Sequence, residues 1–462
     1  MGEPVVIFAG TTGENDIVDP VRLKINFETG IAELAEAVNV LIDQTGLPYR
    51  RPGQTLVSAG DYHSIFCDGG DCFVILETVD YSTIYRLNAD KTLTAIQPGL
   101  AKGKRYGWLQ VGSKTYWSNG VEKGVIVNGV SLSWAAQTYA GPPTSRNFEG
   151  PPAGTHLALF GSSICVVNGP IVRISEPLGY GLFDRARSRV RFSSDVKLYK
   201  PVTAGVFASD SKYTYFLEGS NPNDLARRKI LDCPAHEYSE ATGYIEGEEF
   251  GLDGAGPCAV WSCDKGLCIG TSTGQLLVAT EDKKIYPKGT VGASLIHGKF
   301  IINAVHEAQQ CCVTNLVGMA PSRFTNFNFN SFANFNGSQF AAGPTGLYEV
   351  CTGEKDAGLN INAHITTGST DFGVQNSKRL RHLYLGVNTS AKIRIIITVD
   401  KRIARTIDVS PSRIGTQRIR VSVGRDTKGG YWSFRVENVN GGALSLYSMG
   451  VLPIVLHSGR DY

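Results

Sequence analysis

Long hydrophobic runs are missing from this 462-residue sequence. Its opening, MGEPVVIFAG, has no basic cluster and only about five consecutive apolar residues, too few for a secretion signal or a membrane span. Val6 stands where a myristoylation signal needs Ser or Thr. These absences predict synthesis in the cytosol with no membrane anchor, and hence ten Cys that are mainly reduced, buried small hydrophobes. Amphipathic helical patterns are equally scarce: only residues 31–37 carry one, about two turns long, behind Thr29 and Gly30.

Catalytic signatures are lacking too. There is no nucleophile elbow, phosphate-binding Gly loop or dinucleotide fingerprint, and the eight His stand singly, with no metal-type pairing. Cys67/Cys72 and Cys263/Cys268 straddle turns in separate units at a wider spacing than zinc pairs use, so they read as cross-strand Cys at hairpin ends. Cys311 and Cys312 read as structural. The carboxylates Glu246, Glu248, Glu249 and Asp253 could serve glycoside hydrolysis or a cation, but a solvated acidic loop is the plainer reading. Neither an enzyme, a cofactor nor a metal site is expected.

What the chain does have is turns and aromatics: 53 Gly, 20 Pro, 20 Phe and 19 Tyr. Such a composition points to an all-β protein, and the length to more than one domain. Short strands recur in clusters: 62–67, 72–78, 83–87 and 92–96; then 106–111, 114–117, 124–127 and 130–134. A third cluster begins at 156–160, 163–167 and 171–174, and a fourth at 202–208, 213–217 and 227–231. A fifth covers 258–262, 266–270, 275–280 and 284–287, and a sixth begins with 293–296, 299–304 and 339–350. A spacing of about 35 to 50 residues is that of four-stranded propeller blades, which bury their faces only against neighbours and so close into a ring. The expected organisation is an N-terminal arm with a short helix (1–37), a β-propeller of about six blades (38–355) and a basic antiparallel β-sandwich (356–462). The alternating strand 38–42 is expected to complete the last blade. Residues 326–336, NFNFNSFANFN, read as a strand with one aromatic face, and the five Trp as core aromatics, one per unit.

The net charge of +3 hides an asymmetry. From residue 378 onward fifteen Lys or Arg face five acids, a net +10, so residues 1–377 carry −7. Strict alternation in 418–423 and 432–437 puts Arg on one face of the expected sandwich, with turns at 426–430 and 440–442. The candidate basic surface is Lys378, Arg379, Arg381, Arg418, Arg420, Arg425 and Arg435. It could contact DNA phosphates without reading sequence, meet the acidic part of a neighbouring copy, or simply keep a sheet solvated.

Two stretches carry a resemblance. Residues 334–385 order an aromatic/Asn strand, Gly346-Leu347-Tyr348, the turn Asp356-Ala357-Gly358, an extended strand over 361–368, Asp371-Phe372-Gly373, and Lys378-Arg379 before Tyr384. Far upstream, a strand and turn lead into Arg50-Arg51-Pro52-Gly53. Together these resemble tail proteins of tailed bacteriophages, of the β-propeller nozzle or tail-tip kind, over roughly the first 60 residues and 334–462. The resemblance implies a virion component, made in the host cytoplasm, whose copies form a ring around the DNA exit channel. It also implies contact with other tail or adaptor proteins and transient, non-specific contact with DNA. The alternative expectation is a carbohydrate-binding or carbohydrate-cleaving propeller used in host attachment.

Overall fold

The structure, a computed structural model, describes residues 4–142, 144–241, 256–283, 288–305 and 310–456. Among these residues all regular structure is β apart from one 3-10 turn, Pro20–Arg22, and no helix is long and apolar enough to cross a membrane. Lys284–Pro287 and the acidic run at 246–253 lie outside the described residues.

The propeller is built from meandering antiparallel sheets. The first contains Asp61–Cys67, Cys72–Glu77, Ser82–Leu87 and Leu93–Leu100, and the second Gly107–Val111, Lys114–Ser118, Lys123–Val127 and Val130–Ser133. His156–Phe160, Ser163–Asn168, Ile171–Glu176 and Arg189–Arg191 form the third, which Gly179–Asp184 and Phe148–Glu149 extend. Leu198–Val202, Gly205–Ser209, Thr214–Glu218 and Ala226–Leu231 form the fourth, and Ala259–Cys263, Gly266–Gly270 and Leu276–Val278 belong to the fifth. The residues expected in one sixth cluster divide between two sheets. Gly292–His297, Phe300–Val305, Gln310–Asn315 and Pro321–Phe324 form one. Ser331–Phe335, Ser338–Gly343 and Gly346–Val350 form the other, whose fourth strand is Gln54–Ala59 from near the chain start. That composite sheet closes the ring, so chain ends are joined by hydrogen bonds rather than left as open edges.

Closure thus falls to Gln54–Ala59 and not to residues 38–42. Asn39, at φ +53°, breaks the run into Ile31–Val38 and Val40–Ile42, and all three residues of the second piece are buried. A strand covered on both faces has no solvent side, so its sequence does not reveal which sheet it joins. Residues 31–37 are strand as well, not helix. Ala32, Leu34 and Ala37 are buried, and the pairing register shifts between Leu34 and Glu36. That bulge resets the parity of a period-two strand, and the resulting spacing passes for a helical face. The expected arm is likewise part of the sheets: Val5–Phe8 pairs antiparallel with Leu444–Val455, and Gly10–Glu14 pairs parallel with Ile31–Val38.

Beyond the ring, two sheets share one hydrophobic core. One runs Ile31–Val38, His364–Thr367, Trp432–Asn438, Ile393–Val399, Arg402–Val409 and is continuous, through Val38 and Arg323, with the Pro321–Phe324 strand of the propeller. The other runs Val40–Ile42, Pro48–Arg50, Leu444–Val455, Lys378–Thr389, Gly415–Ser422. Ile393, Ile395, Ile397 and Phe434 from the first meet Leu383, Leu385, Val387 and Val451 from the second. At about 1.5–3 kcal/mol for each fully buried side chain, this alternation fixes which faces turn inward. The turn expected at 440–442 is present, with Asn440 and Gly441 at positive φ, whereas Lys428–Gly429 within 426–430 is a short strand paired with Lys378 and Arg379; both segments carry the chain from one sheet to the other rather than closing a hairpin.

The junction between ring and paired sheets is a buried ion pair. Arg51 and Asp356 are 0 and 2 % exposed, with Nη1 donating to Oδ1 at 2.8 Å and Nη2 to Oδ2 at 2.6 Å. Arg51 also donates from Nε to Asn39 Oδ1 and from its terminal nitrogens to the Pro52 and Thr325 carbonyls. Its guanidinium lies 5.0 and 5.5 Å from the centroids of Phe324 and Phe327. All five N–H groups therefore have partners, which is what makes a buried guanidinium tolerable. Gly53 follows because a Cβ there would overlap the Lys355 carbonyl.

Candidate functional site

The seven cations named from the sequence do not form one surface. Arg418 and Arg420 lie opposite Gly386 and Tyr384 and are exposed on the outer face of the sheet containing Lys378–Thr389. Arg381 is exposed nearby, at the irregularity between Leu380 and Leu383, and Arg425 is exposed beyond the end of Gly415–Ser422. The intervening His382 has its pKa pushed down by burial and by Arg420 and Arg381. Arg379 is half-buried. Lys378 is not on the surface: it is 0 % exposed, and its ammonium donates to the Val374 and Gly430 carbonyls at 2.7 and 2.9 Å. Burial pushes its pKa down. Lys378 shares inward parity with Leu380, so charge alone misplaced it. Arg435 belongs to the other sheet, where Glu36 and Glu437 hold it at 3.6 and 3.1 Å. Four of the seven cations thus remain exposed.

A second place where polar groups converge is the centre of the propeller. The inner strands surround a cavity of about 340 Å³ lined by Arg105, His156, Lys200, Tyr238 and Glu240, among others. Tyr238 has φ +61°, a conformation a bulky side chain rarely adopts. Its ring stacks on His156 at 4.7 Å and 12°, with the Arg105 guanidinium 5.0 Å from its centroid. Arg105 also donates to the Asn330 carbonyl at 2.6 Å. Burial lowers the pKa of both Arg105 and Lys200, and the Glu240 carboxylate opposes that shift. Glu240 Oε2 and His156 Nε2 have no hydrogen-bond partner among the described residues. Sequence reading missed this group because its members come from four separate segments, Arg105, His156, Lys200 and the stretch holding Tyr238 and Glu240.

Two Ser–His–carboxylate chains also appear. His63 meets Ser64 Oγ and Glu77 at 2.9 Å each, and His236 meets Ser262 Oγ and Asp264 at 3.0 Å each. Both serines are buried, and Ser64 Oγ already accepts from the Tyr106 amide of the next sheet. Through these bonds the two chains tie neighbouring strands and sheets together, and Ser64 also lines the central cavity. Among the described residues no group of three or more His, Cys, Asp or Glu side chains could hold a metal ion. Cys67 and Cys72 are cross-strand partners; the Cys263 and Cys268 sulfurs lie 3.5 Å apart but are not in register. Trp117, Trp134, Trp261 and Trp432 are buried, while Trp108 is half-buried and donates to the Ser64 carbonyl; Trp108 and Trp117 are cross-strand partners in one sheet, so the Trp residues do not fall one per unit. Phe327, Phe329 and Phe332 from the aromatic/Asn stretch pack in one core.

No family model and no curated protein matches the sequence. Among solved structures, the chain is similar to the Pan2 WD40 domain of Neurospora crassa, at 11% identity and a TM-score of 0.40, covering 63% of this chain and 89% of that one. It is also similar to BamB of Moraxella catarrhalis, at 13% identity and a TM-score of 0.37, covering 71% and 92% of the two chains.

Proposed function

We propose that the chain is a structural, non-catalytic component of a bacteriophage tail, of the nozzle or tail-tip kind, whose copies assemble in a ring around the DNA exit channel. One observation carries the reading. The two stretches that resemble such proteins lie about 300 residues apart, yet Arg51 of one and Asp356 of the other form the buried pair at the junction. A resemblance scattered over unrelated surface turns would have no such shared role. The mechanism is mechanical. Arg381, Arg418, Arg420 and Arg425 meet acidic surface of a neighbouring copy or of another tail or adaptor protein, fixing register, and any lumen contact with DNA is weak enough for sliding. The alternative, carbohydrate binding in host attachment, draws on the Tyr238 and Glu240 cavity, but the Tyr238 ring is already engaged by His156 and Arg105. Mass spectrometry of gradient-purified virions tests the proposal: a fixed multi-copy stoichiometry supports it, and virions without the chain refute it.

A further inference from the structure

The acidic part of the chain carries its own basic surface. Residues 185–191 read Arg-Ala-Arg-Ser-Arg-Val-Arg, four arginines without an acid. They lead into and form Arg189–Arg191, the outermost strand beside Ile171–Glu176, where Val190 packs inward and Arg189 and Arg191 are exposed. Alternation sets those two side chains on one face, about 6.7 Å apart. In the next sheet the outermost strand is Ala226–Leu231. Its Arg227 donates to the Arg191 carbonyl at 2.6 Å and lies 4.4 Å from the Phe192 centroid and 5.4 Å from that of Tyr215. The two rims are thereby joined into one surface bearing Arg185, Arg187, Arg189, Arg191 and Arg227.

Of the neighbouring cations, Arg146 pairs with Glu176 and Asp184, Arg173 with Glu149 and Lys229 with Asp232, while Arg228 donates to the Gly274 carbonyl at 3.2 Å. Among the described residues none of the five rim arginines has an ion-pair partner, and all are exposed. Five unpaired like charges held together raise the local positive potential and attract anions. The cluster is all Arg, and the planar guanidinium fork suits phosphate oxygens, whereas a bare need to block an exposed edge is commonly met by Lys.

We propose that this rim binds the phosphate backbone of nucleic acid without reading its sequence. The inference does not rest on the tail reading, since it concerns isolated chain and DNA. About four phosphate contacts give a slope of log affinity against log salt near −3.6, hence a roughly 150-fold loss between 50 and 200 mM salt.

Fluorescence anisotropy of a labelled mixed-sequence duplex with the full chain tests this. Expected are salt-dependent binding, near-complete loss in R187Q/R189Q/R191Q/R227Q, and partial retention in the matching Arg→Lys set, which keeps charge but loses the fork. Each single Gln variant lowers the slope by about one, a readout that survives should the quadruple variant fold poorly. No binding at 50 mM salt overturns the proposal. So does equal affinity and slope in the Gln variants, which moves binding to another surface, and so does polyglutamate competing as well as DNA.

Discussion

Removing one partner of the Arg51–Asp356 pair should be among the most damaging single changes in this protein. In Asp356→Ala, two of the five Arg51 N–H donors lose their acceptors, and a guanidinium that is 0 % exposed is left without its counter-charge. An unsatisfied buried donor costs about 1–3 kcal/mol, and breaking a buried ion pair about 3–5 kcal/mol, so the loss lies in the upper range. Replacing both partners by apolar groups, as in Arg51→Met with Asp356→Leu, removes the uncompensated charge and should recover a large part of that loss. A double-mutant cycle by urea denaturation, followed by tryptophan fluorescence, measures both. Trp432 reports on the paired sheets and Trp117, Trp134 and Trp261 on the propeller, so the junction's failure should lower both transitions. Amide exchange adds a local readout at Thr325, whose N–H donates to Asn39 Oδ1 beside Arg51. A loss below about 1 kcal/mol for Asp356→Ala, or strict additivity of Arg51→Met and Asp356→Leu in their double variant, would show that the two side chains are not coupled.

Gly53→Ala should cost on the order of 1–3 kcal/mol, read as a lower Tm, because its Cβ would overlap the Lys355 carbonyl. Glu14 is 0 % exposed, and burial raises its pKa from 4.5 to about 7 against the opposing pull of Arg323. A raised carboxyl pKa means the folded state holds the extra proton, so stability falls as pH rises from about 4.5 to 7, by on the order of 3 kcal/mol, and Glu14→Gln flattens that fall. Glu77 has the opposite sign: the His63 hydrogen bond first, helped by Ser82 and the Gly103 amide, holds its pKa near 2. Its stabilisation is present above pH 4.5 and is lost as pH falls toward 2, so Glu77→Gln should weaken the acid dependence of the unfolding midpoint. R418Q/R420Q should fold normally by circular dichroism yet enter particles poorly in an infection complemented with the variant; incorporation at the wild-type level contradicts the assembly role.

How much of this was legible depends on whether a signal is local. The first, second and fourth sheets follow from alternation and tight turns; Asn128 and Gly129, both at positive φ, close the hairpin from Lys123–Val127 to Val130–Ser133. Residues 31–38 misled because a bulge changes the parity of a strand. Lys378 misled because composition counts a charge wherever it sits, and two carbonyls suffice to bury this one. The Arg51–Asp356 contact was present in the sequence only as two turn motifs, and a pairing 305 residues apart has no local trace. The central cavity is assembled from segments far apart in the chain, so no window of sequence contains it. The rim arginines lay in plain view, but it is Arg227, through its hydrogen bond to Arg191 and its stacking on Phe192, that joins their two strands into a surface.

Under the proposed role the chain sits in the tail of a phage particle and not merely in the infected cell. Immunogold electron microscopy of purified virions, with antibody raised against residues 378–456, tests it most directly. Label confined to the tail end of intact particles is expected; label on the capsid, or unlabelled virions beside abundant soluble protein, would exclude the tail role.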